Sequence, residues 1–208
     1  MVKVYDELFD KIFLTELSLW LLQDCRFIAS NIANGHTVPY GLEGTHRFLG
    51  SCIYRNNDGT AAKYWEYTHK EYIPVRTNEG APWHSTERIS DFFNLFLGFQ
   101  RITEKKILLQ SIDANLQFMG MDGTWHTDGD EKQTAFILML AYHDIDSETM
   151  GGEFHHKPSG EIIPFKQGRL IEISGPEEHK AVAFNVPYIP RFSIKFLGKN
   201  HEEPRLYL

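Results

Sequence analysis

The stretch TAFILMLAY, residues 134–142, belongs to a series of short apolar runs that fill the second half of the chain. Glycine, proline, aspartate or asparagine marks most of the breaks between them. Many short strands at close spacing are typical of a sandwich, a barrel or a jelly roll, so these runs decide the fold. They cover residues 107–111, 116–119, 134–142, 152–156, 162–165, 170–173, 182–184 and 191–196.

The first half of the chain has a different texture. Residues 5–24 carry apolar side chains at helical spacing, and a second helix is expected from Ser85 to about residue 100, with Ser85 or Thr86 as its N-cap. Residues 31–85 indicate loops with short strands, and their aromatic-rich part, 55–76, could form a lid or pack over a barrel. The chain is therefore expected to be α+β, mainly β, with supporting N-terminal helices.

Length and composition limit the classes of protein. A chain of 208 residues fits one domain, divided here into a support region (1–106), a jelly-roll core (107–198) and a tail (199–208). The net charge of −7 argues against a nucleic-acid-binding surface. Two cysteines favour a reducing compartment, and neither a membrane span nor a signal peptide is recognisable. We therefore expect a cytoplasmic protein with no membrane or nucleic-acid partner.

A candidate metal site begins at Trp125-His126-Thr127-Asp128, between two strand-like runs. Residues i and i+2 of an extended segment point to the same side, so His126 and Asp128 can face one ion. His179 supplies a second imidazole further along the chain. Two histidines and one carboxylate form the facial triad of non-haem Fe(II) oxygenases. A short His-x-Asp pattern can also occur by chance in a chain with ten histidines.

A candidate anion site follows at Arg191-Phe192-Ser193. On a strand, Arg191 and Ser193 share one face, while Phe192, Ile194 and Phe196 share the other and would pack into the core. The polar pair would then look into the mouth of the barrel. An arginine there can hold a carboxylate through two hydrogen bonds, and the hydroxyl can add a third. The alternative is a surface arginine on an edge strand.

Together, these motifs resemble the 2-oxoglutarate/Fe(II)-dependent oxygenase superfamily. The resemblance lies in the order HTD at 126–128, GGEF at 151–154, GRL at 168–170, His179 and RFS at 191–193, and it covers roughly residues 107–198. The small prolyl-4-hydroxylase-like group, which includes phage and bacterial forms, is the most similar. One departure is that prolyl 4-hydroxylases proper usually carry lysine where this chain has Arg191.

The resemblance implies a double-stranded β-helix, which is a jelly-roll barrel, and it implies roles for matching residues. His126, Asp128 and His179 would ligate Fe(II), while Arg191 and Ser193 would bind the distal carboxylate of 2-oxoglutarate. Gln117 and Asn115 share a face of the preceding strand and could contact the same co-substrate. Their alternative reading is ordinary polarity at a strand end. Trp125 would pack beside the iron or serve as a core aromatic.

The resemblance also implies an activity. Oxidative decarboxylation of 2-oxoglutarate to succinate and CO₂, with dioxygen, would be coupled to hydroxylation of another substrate. A peptidyl residue such as proline is favoured, and a small metabolite comes second. Two alternatives stay open at this point. One is a cupin-type metal enzyme that does not use 2-oxoglutarate, although cupins more often show His-x-His followed by glutamate. The other is a non-enzymatic jelly-roll binding module.

Overall fold

The structure is a computed structural model that describes residues 1–30, 48–55 and 88–200. Three helices lie in these ranges: α1 Lys11–Gln23, α2 Ile89–Thr103 and α3 Ser147–Met150. The strands are β1 Lys3–Tyr5, β2 Ile28–Ser30, β3 Phe48–Arg55, β4 Ile107–Gln117, β5 Gln133–Leu140, β6 Phe154–His156, β7 Glu161–Ile163, β8 Leu170–Ser174, β9 His179–Ala181 and β10 Arg191–Asn200.

The strands form two antiparallel sheets. The major sheet has seven strands in the order β1-β8-β5-β10-β4-β3-β2, and the minor sheet has three in the order β7-β6-β9. Phe154 and Ile163 of the minor sheet share a core cluster with Ile137, Met139 and Ile171 of the major sheet. The two sheets therefore pack face to face, and the expected mainly β jelly-roll architecture is confirmed.

The other face of the major sheet carries the helices. Phe192, Ile194 and Phe196 of β10 belong to a second core cluster, which includes the buried faces of α1 and α2. The Phe196 ring meets the Phe99 ring of α2 edge to face at a centroid distance of 5.1 Å. The predicted burial of this apolar trio is confirmed.

Helix α1 begins later than the predicted residue 5, because residues 3–5 form an edge strand that pairs with β8. The Asp10 carboxylate caps the helix by accepting hydrogen bonds from the Ile12 and Phe13 amides at 2.8 and 3.2 Å. Leu17 and Leu21 are fully buried on its inner side. The helix itself was predicted correctly.

The predicted start of α2 was wrong. Its N-cap is Arg88, whose carbonyl accepts a hydrogen bond from the Asp91 amide at 2.9 Å. The proposed caps, Ser85 and Thr86, lie outside the described residues. The helix ends at Thr103, and its C-cap, Glu104, adopts a left-handed conformation with φ 55°.

Two strand predictions also need correction. The run 107–111 and the first two residues of the run 116–119 belong to one strand, β4, because the polar residues between them point into the sandwich and do not interrupt pairing with β10. The run 182–184 lies after β9, where Phe184 makes only an isolated bridge to Gly151. Strand β9 pairs with β6 through His179–Ala181 instead.

The described part of the predicted support region contributes strands as well as helices. Strands β1, β2 and β3 extend the major sheet at its two ends, so the sheet is not confined to residues 107–198. Apart from its first residue, the aromatic-rich segment 55–76 lies outside the described residues. Within the described ranges, no helix is long and apolar enough to cross a membrane.

Candidate metal and co-substrate site

Three predicted side chains converge between the sheets. The ligand atoms of His126, Asp128 and His179 all lie within 4.8 Å of one another. Asp128 Oδ2 lies 3.4 Å from His179 Nε2, and Asp128 Oδ1 lies 3.9 Å from His126 Nε2. The structure therefore brings together residues that are far apart in the sequence.

Backbone hydrogen bonds hold these three residues in register. His126 and His179 form an isolated antiparallel bridge, with N–O distances of 3.1 and 3.0 Å. The Asp128 amide donates to the Gly175 carbonyl at 3.0 Å. His126 and Asp128 thus lie in the connection between β4 and β5, while His179 begins β9.

Both imidazoles are oriented through Nδ1. His126 Nδ1 lies 2.8 Å from the Thr124 carbonyl oxygen, and His179 Nδ1 lies 2.9 Å from that of Glu177. A carbonyl can only accept, so each Nδ1 carries a hydrogen, and Nε2 is the ring nitrogen that remains to face Asp128. Burial, together with the neighbouring His179, lowers the pKa of His126 to about 4, which keeps that ring neutral near pH 7. Phe154 stacks on the His179 ring at 5.1 Å.

The Asp128 carboxylate is ionised and incompletely satisfied. Burial alone would raise its pKa, but Lys195 and the two histidines hold the pKa well below its usual range. Oδ1 accepts a hydrogen bond from Lys195 Nζ at 2.7 Å. Oδ2 is buried and accepts no hydrogen bond from any residue that the structure describes, although it lies 3.4 Å from His179 Nε2. A buried anionic oxygen without a donor is costly, and a cation at this point would remove the cost.

The donor set fits a divalent transition metal. Two neutral imidazole nitrogens and one carboxylate oxygen are the ligands of a 2-His-1-carboxylate site, which suits Fe(II) and leaves further coordination positions open. Asp128 Oδ2 and the Nε2 atoms of His126 and His179 are the ligand atoms that such an ion requires.

Arg191 is a second incomplete group. Its side chain is fully buried, Nε donates to the Gly152 carbonyl at 3.0 Å, and Nη1 donates to Gln117 Oε1 at 3.1 Å. Among the described residues, Nη2 has no hydrogen-bond partner. Burial lowers the pKa of Arg191 to about 10, while the negative charge of Glu153 acts in the opposite direction and raises this pKa. Because a pKa of about 10 lies well above 7, the guanidinium stays charged near pH 7. An anion would satisfy both the charge and the remaining donor.

The acceptors of Arg191 are themselves fixed. Gln117 donates through Nε2 to the carbonyls of Met121 and Ala181 at 2.7 and 3.2 Å, which turns Oε1 toward the guanidinium. Gly152 has φ 91°, and a Cβ there would overlap the Phe184 ring. Only glycine places this carbonyl without strain.

Ser193 and Asn115 complete the predicted set. Arg191 pairs with Gln117 across β10 and β4, and Ser193 pairs with Asn115, so the four share one face of the sheet. Ser193 is buried and Asn115 partly buried. Arg191 was expected at the barrel mouth, and that is wrong: the carbonyl of Gly152 and the amide of Gln117 enclose it in the interior.

Sequence reasoning missed Lys195, which is bonded to Asp128. Its signal was the alternation on β10, since Lys195 follows Arg191 and Ser193 on the same face. Trp125 belongs to neither core cluster and is 38% exposed. The ammonium groups of Lys180 and Lys157 lie 5.1 and 5.8 Å from its ring centroid, within cation–π range.

Comparison with solved structures supports the fold. A 2OG-Fe(II) oxygenase family oxidoreductase from Burkholderia pseudomallei matches with a TM-score of 0.57 at 14% identity, covering 97% of this chain and 86% of the other. A Trichoplax adhaerens prolyl hydroxylase, in complex with a hypoxia inducible factor peptide fragment, gives 0.59 at 11% identity, covering 96% and 83%.

A viral collagen prolyl hydroxylase from Paramecium Bursaria Chlorella virus-1, in its 2OG complex, gives a TM-score of 0.53 at 12% identity, covering 95% and 96%. No protein-family model matches the sequence, and no curated protein matches it significantly. At these identities the comparisons establish the fold, and the expected double-stranded β-helix is confirmed.

Proposed function

We propose that this protein is a dioxygenase that uses Fe(II), 2-oxoglutarate and dioxygen. The observation that carries the proposal is the presence of two complementary unsatisfied groups in one interior. Within the described ranges, Asp128 offers an anionic oxygen with no donor, and Arg191 offers a cationic donor with no acceptor. A metal ion and a dicarboxylate would satisfy one each.

His126, Asp128 and His179 would hold the metal through Nε2, Oδ2 and Nε2. When bound, Fe(II) would supply the redox chemistry that couples decarboxylation of 2-oxoglutarate to hydroxylation of another substrate. The protein fixes the imidazole tautomers through the carbonyls of Thr124 and Glu177. Both Nε2 atoms are therefore already presented to the metal without ring rotation.

Arg191 would bind the distal carboxylate of 2-oxoglutarate, with Ser193 adding a hydroxyl. Gln117 is engaged with Arg191, Met121 and Ala181, so its contribution is to position the guanidinium. Asn115 lies opposite Ser193 and is proposed as a further polar contact. An arginine held by two fixed acceptors loses little freedom when the co-substrate arrives.

This arginine also separates the proposal from the two alternatives. A cupin-type enzyme that does not use 2-oxoglutarate has no need of a charged donor in this place, nor does a jelly-roll module without a metal. A fully buried cation with an unsatisfied donor is costly to keep. A dicarboxylate co-substrate accounts for it.

For the substrate we propose a peptidyl residue, with proline favoured. The support is the fold shared with a prolyl hydroxylase whose structure contains a peptide fragment. We further propose a cytoplasmic location, which the low cysteine content supports, because two cysteines are too few for a disulfide framework.

The proposal is tested by succinate formation in air with added Fe(II) and 2-oxoglutarate, first without and then with proline-containing peptides. Uncoupled succinate formation is expected without any peptide, and a substrate should raise its rate. His179→Ala should lose this activity, while His155→Ala, a nearby histidine outside the triad, should keep it. Loss in both variants, or succinate formation in neither the parent protein nor His155→Ala, contradicts the proposal.

A further inference from the structure

Lys195 is the one residue of the described site that neither the metal ligands nor the 2-oxoglutarate contacts account for. It lies on β10, its side chain is 16% exposed, and its ammonium group lies 2.7 Å from Asp128 Oδ1. The Asp128 side chain is 2% exposed. A cation this close to a candidate metal ligand reduces the attraction that the ligand offers a second cation.

The contact is selective between the two carboxylate oxygens. Lys195 engages Oδ1, while Oδ2 accepts no hydrogen bond from the described part of the chain and is the oxygen nearer His179. Since Oδ1 is already occupied, a metal ion would meet the carboxylate through Oδ2. The amide of Asp128, bonded to Gly175, fixes the backbone from which this carboxylate projects.

We propose that Lys195 is a positioning residue that occupies one oxygen of Asp128 and leaves the other as a single metal-ligating atom, at the expense of metal affinity. This inference rests on the proposed metal function. The carboxylate and the ammonium together carry no net charge, so the site attracts a divalent ion less strongly than the carboxylate alone would. The same ammonium stabilises the buried carboxylate while the metal is absent.

A second carboxylate could compete for the same lysine. Asp113 lies directly opposite Lys195 in the register of β10 and β4, is buried, and accepts a hydrogen bond from Ser111 at 3.2 Å. The test must therefore distinguish a counter-ion of Asp128 from a counter-ion of Asp113.

The first measurement is a Co(II) titration followed by visible absorption, without 2-oxoglutarate, so that no turnover is involved. Lys195→Met and Lys195→Gln remove the charge, and Lys199→Met is the matched control, because Lys199 is an exposed lysine on the same strand. Removing the nearby positive charge should tighten Co(II) binding about tenfold in both Lys195 variants. Lys199→Met should match the parent protein.

The second measurement is thermal unfolding of the metal-free proteins. Lys195→Met should lower the Tm by on the order of 10 °C, because a buried carboxylate loses its partner. When Asp128 is already replaced by asparagine, Lys195→Met should lower the Tm by much less. An equal cost in both backgrounds would assign Lys195 to Asp113 and overturn the proposal.

The remaining outcomes are also decisive. Unchanged or weaker Co(II) binding by the Lys195 variants overturns the positioning role while the metal site itself stands. Failure of both variants to fold even with saturating Co(II) would make Lys195 a structural counter-ion, which also overturns it. If the parent protein and Lys199→Met do not bind Co(II), the proposed metal function fails, and the inference falls with it.

Discussion

The two faces of strand β10 are both buried, but they differ in whether their side chains find all of their partners within the protein. On the helix side, Phe192, Ile194 and Phe196 are fully enclosed by apolar neighbours. On the side that faces the minor sheet, Arg191, Ser193 and Lys195 alternate with them. The apolar face needs no further partner, whereas on the polar face one Arg191 donor, Nη2, has no acceptor among the described residues. Because successive side chains of a strand point to opposite faces, one face of β10 stabilises the fold and the other carries the candidate site.

The polar zone is confined to part of the inner face. Strand β4 continues it with Gln117, Asn115 and Asp113, which pair directly with the polar residues of β10. The neighbouring strands β5 and β8 present apolar side chains to the same interior. The candidate site therefore lies where the connection carrying His126 and Asp128 meets β10, and the rest of the interior stabilises the sandwich.

The largest expected effect comes from removing a triad member on the polar side. His179→Ala should weaken Co(II) or Fe(II) binding at least about a thousandfold, since one of three protein ligands is lost. The measurement is an anaerobic metal titration, with circular dichroism to verify the fold. Retained metal affinity would show that His179 is not a ligand.

The apolar face should respond in stability alone. Phe196→Ala should lower the free energy of unfolding by about 3 to 5 kcal/mol, because it leaves a cavity against Phe96 and Phe99. Chemical denaturation measures this, and Leu108→Ala, a 58% exposed position on β4, is the control with little change. A folded Phe196→Ala protein with altered metal affinity would break the separation between the two faces.

Arg191→Lys should affect the co-substrate more than the metal. Lysine keeps the charge but has a single nitrogen in place of the separate Nε, Nη1 and Nη2 donors of the planar guanidinium, so 2-oxoglutarate binding should weaken about a hundredfold. Calorimetry with and without metal separates the two affinities. Equal losses of metal and 2-oxoglutarate binding would mean that Arg191 is structural.

The smallest effect is expected far from the site, where Asp6 bonds Arg169 through both carboxylate oxygens at 2.8 Å. This contact lowers the pKa of Asp6 below 3.8, so its stabilisation is present above that pH and is lost as the pH falls below it.

Asp6→Asn should therefore lower the free energy of unfolding by about 1 kcal/mol at pH 7, and the difference from the parent protein should vanish in acid. Urea denaturation at several pH values checks this. Asp144→Asn, at an 89% exposed ion pair with Lys11, should change nothing measurable. A pH-independent cost at Asp6 would contradict the ion-pair explanation.

Local patterns were enough to predict much of this. Alternation on β10 predicted which side of the strand carries Phe196 and which carries Arg191, because the pleat has a period of two residues. The helix α1 followed from its apolar spacing. The His126, Asp128 and His179 grouping was found by analogy in motif order, and the structure brings the three together.

Contacts set by the register between distant segments could not be predicted. Lys195 meets Asp128 only because β10 lies beside the connection between β4 and β5, and no local pattern encodes that distance. The same applies to Gln117, whose amide is turned by the carbonyls of Met121 and Ala181. From the sequence, the polar residues within β4 were interpreted as a break between two strands, although they form the inner face of one strand.

The central claim is that one interior holds both a metal and a 2-oxoglutarate carboxylate. It is tested most directly by adding Fe(II) and then 2-oxoglutarate to the protein without oxygen and recording the visible spectrum. A metal-to-ligand charge-transfer band that needs both additions, and that is absent in His179→Ala, is the predicted result. Absence of the band at saturating Fe(II), together with no measurable binding of 2-oxoglutarate, would contradict the account.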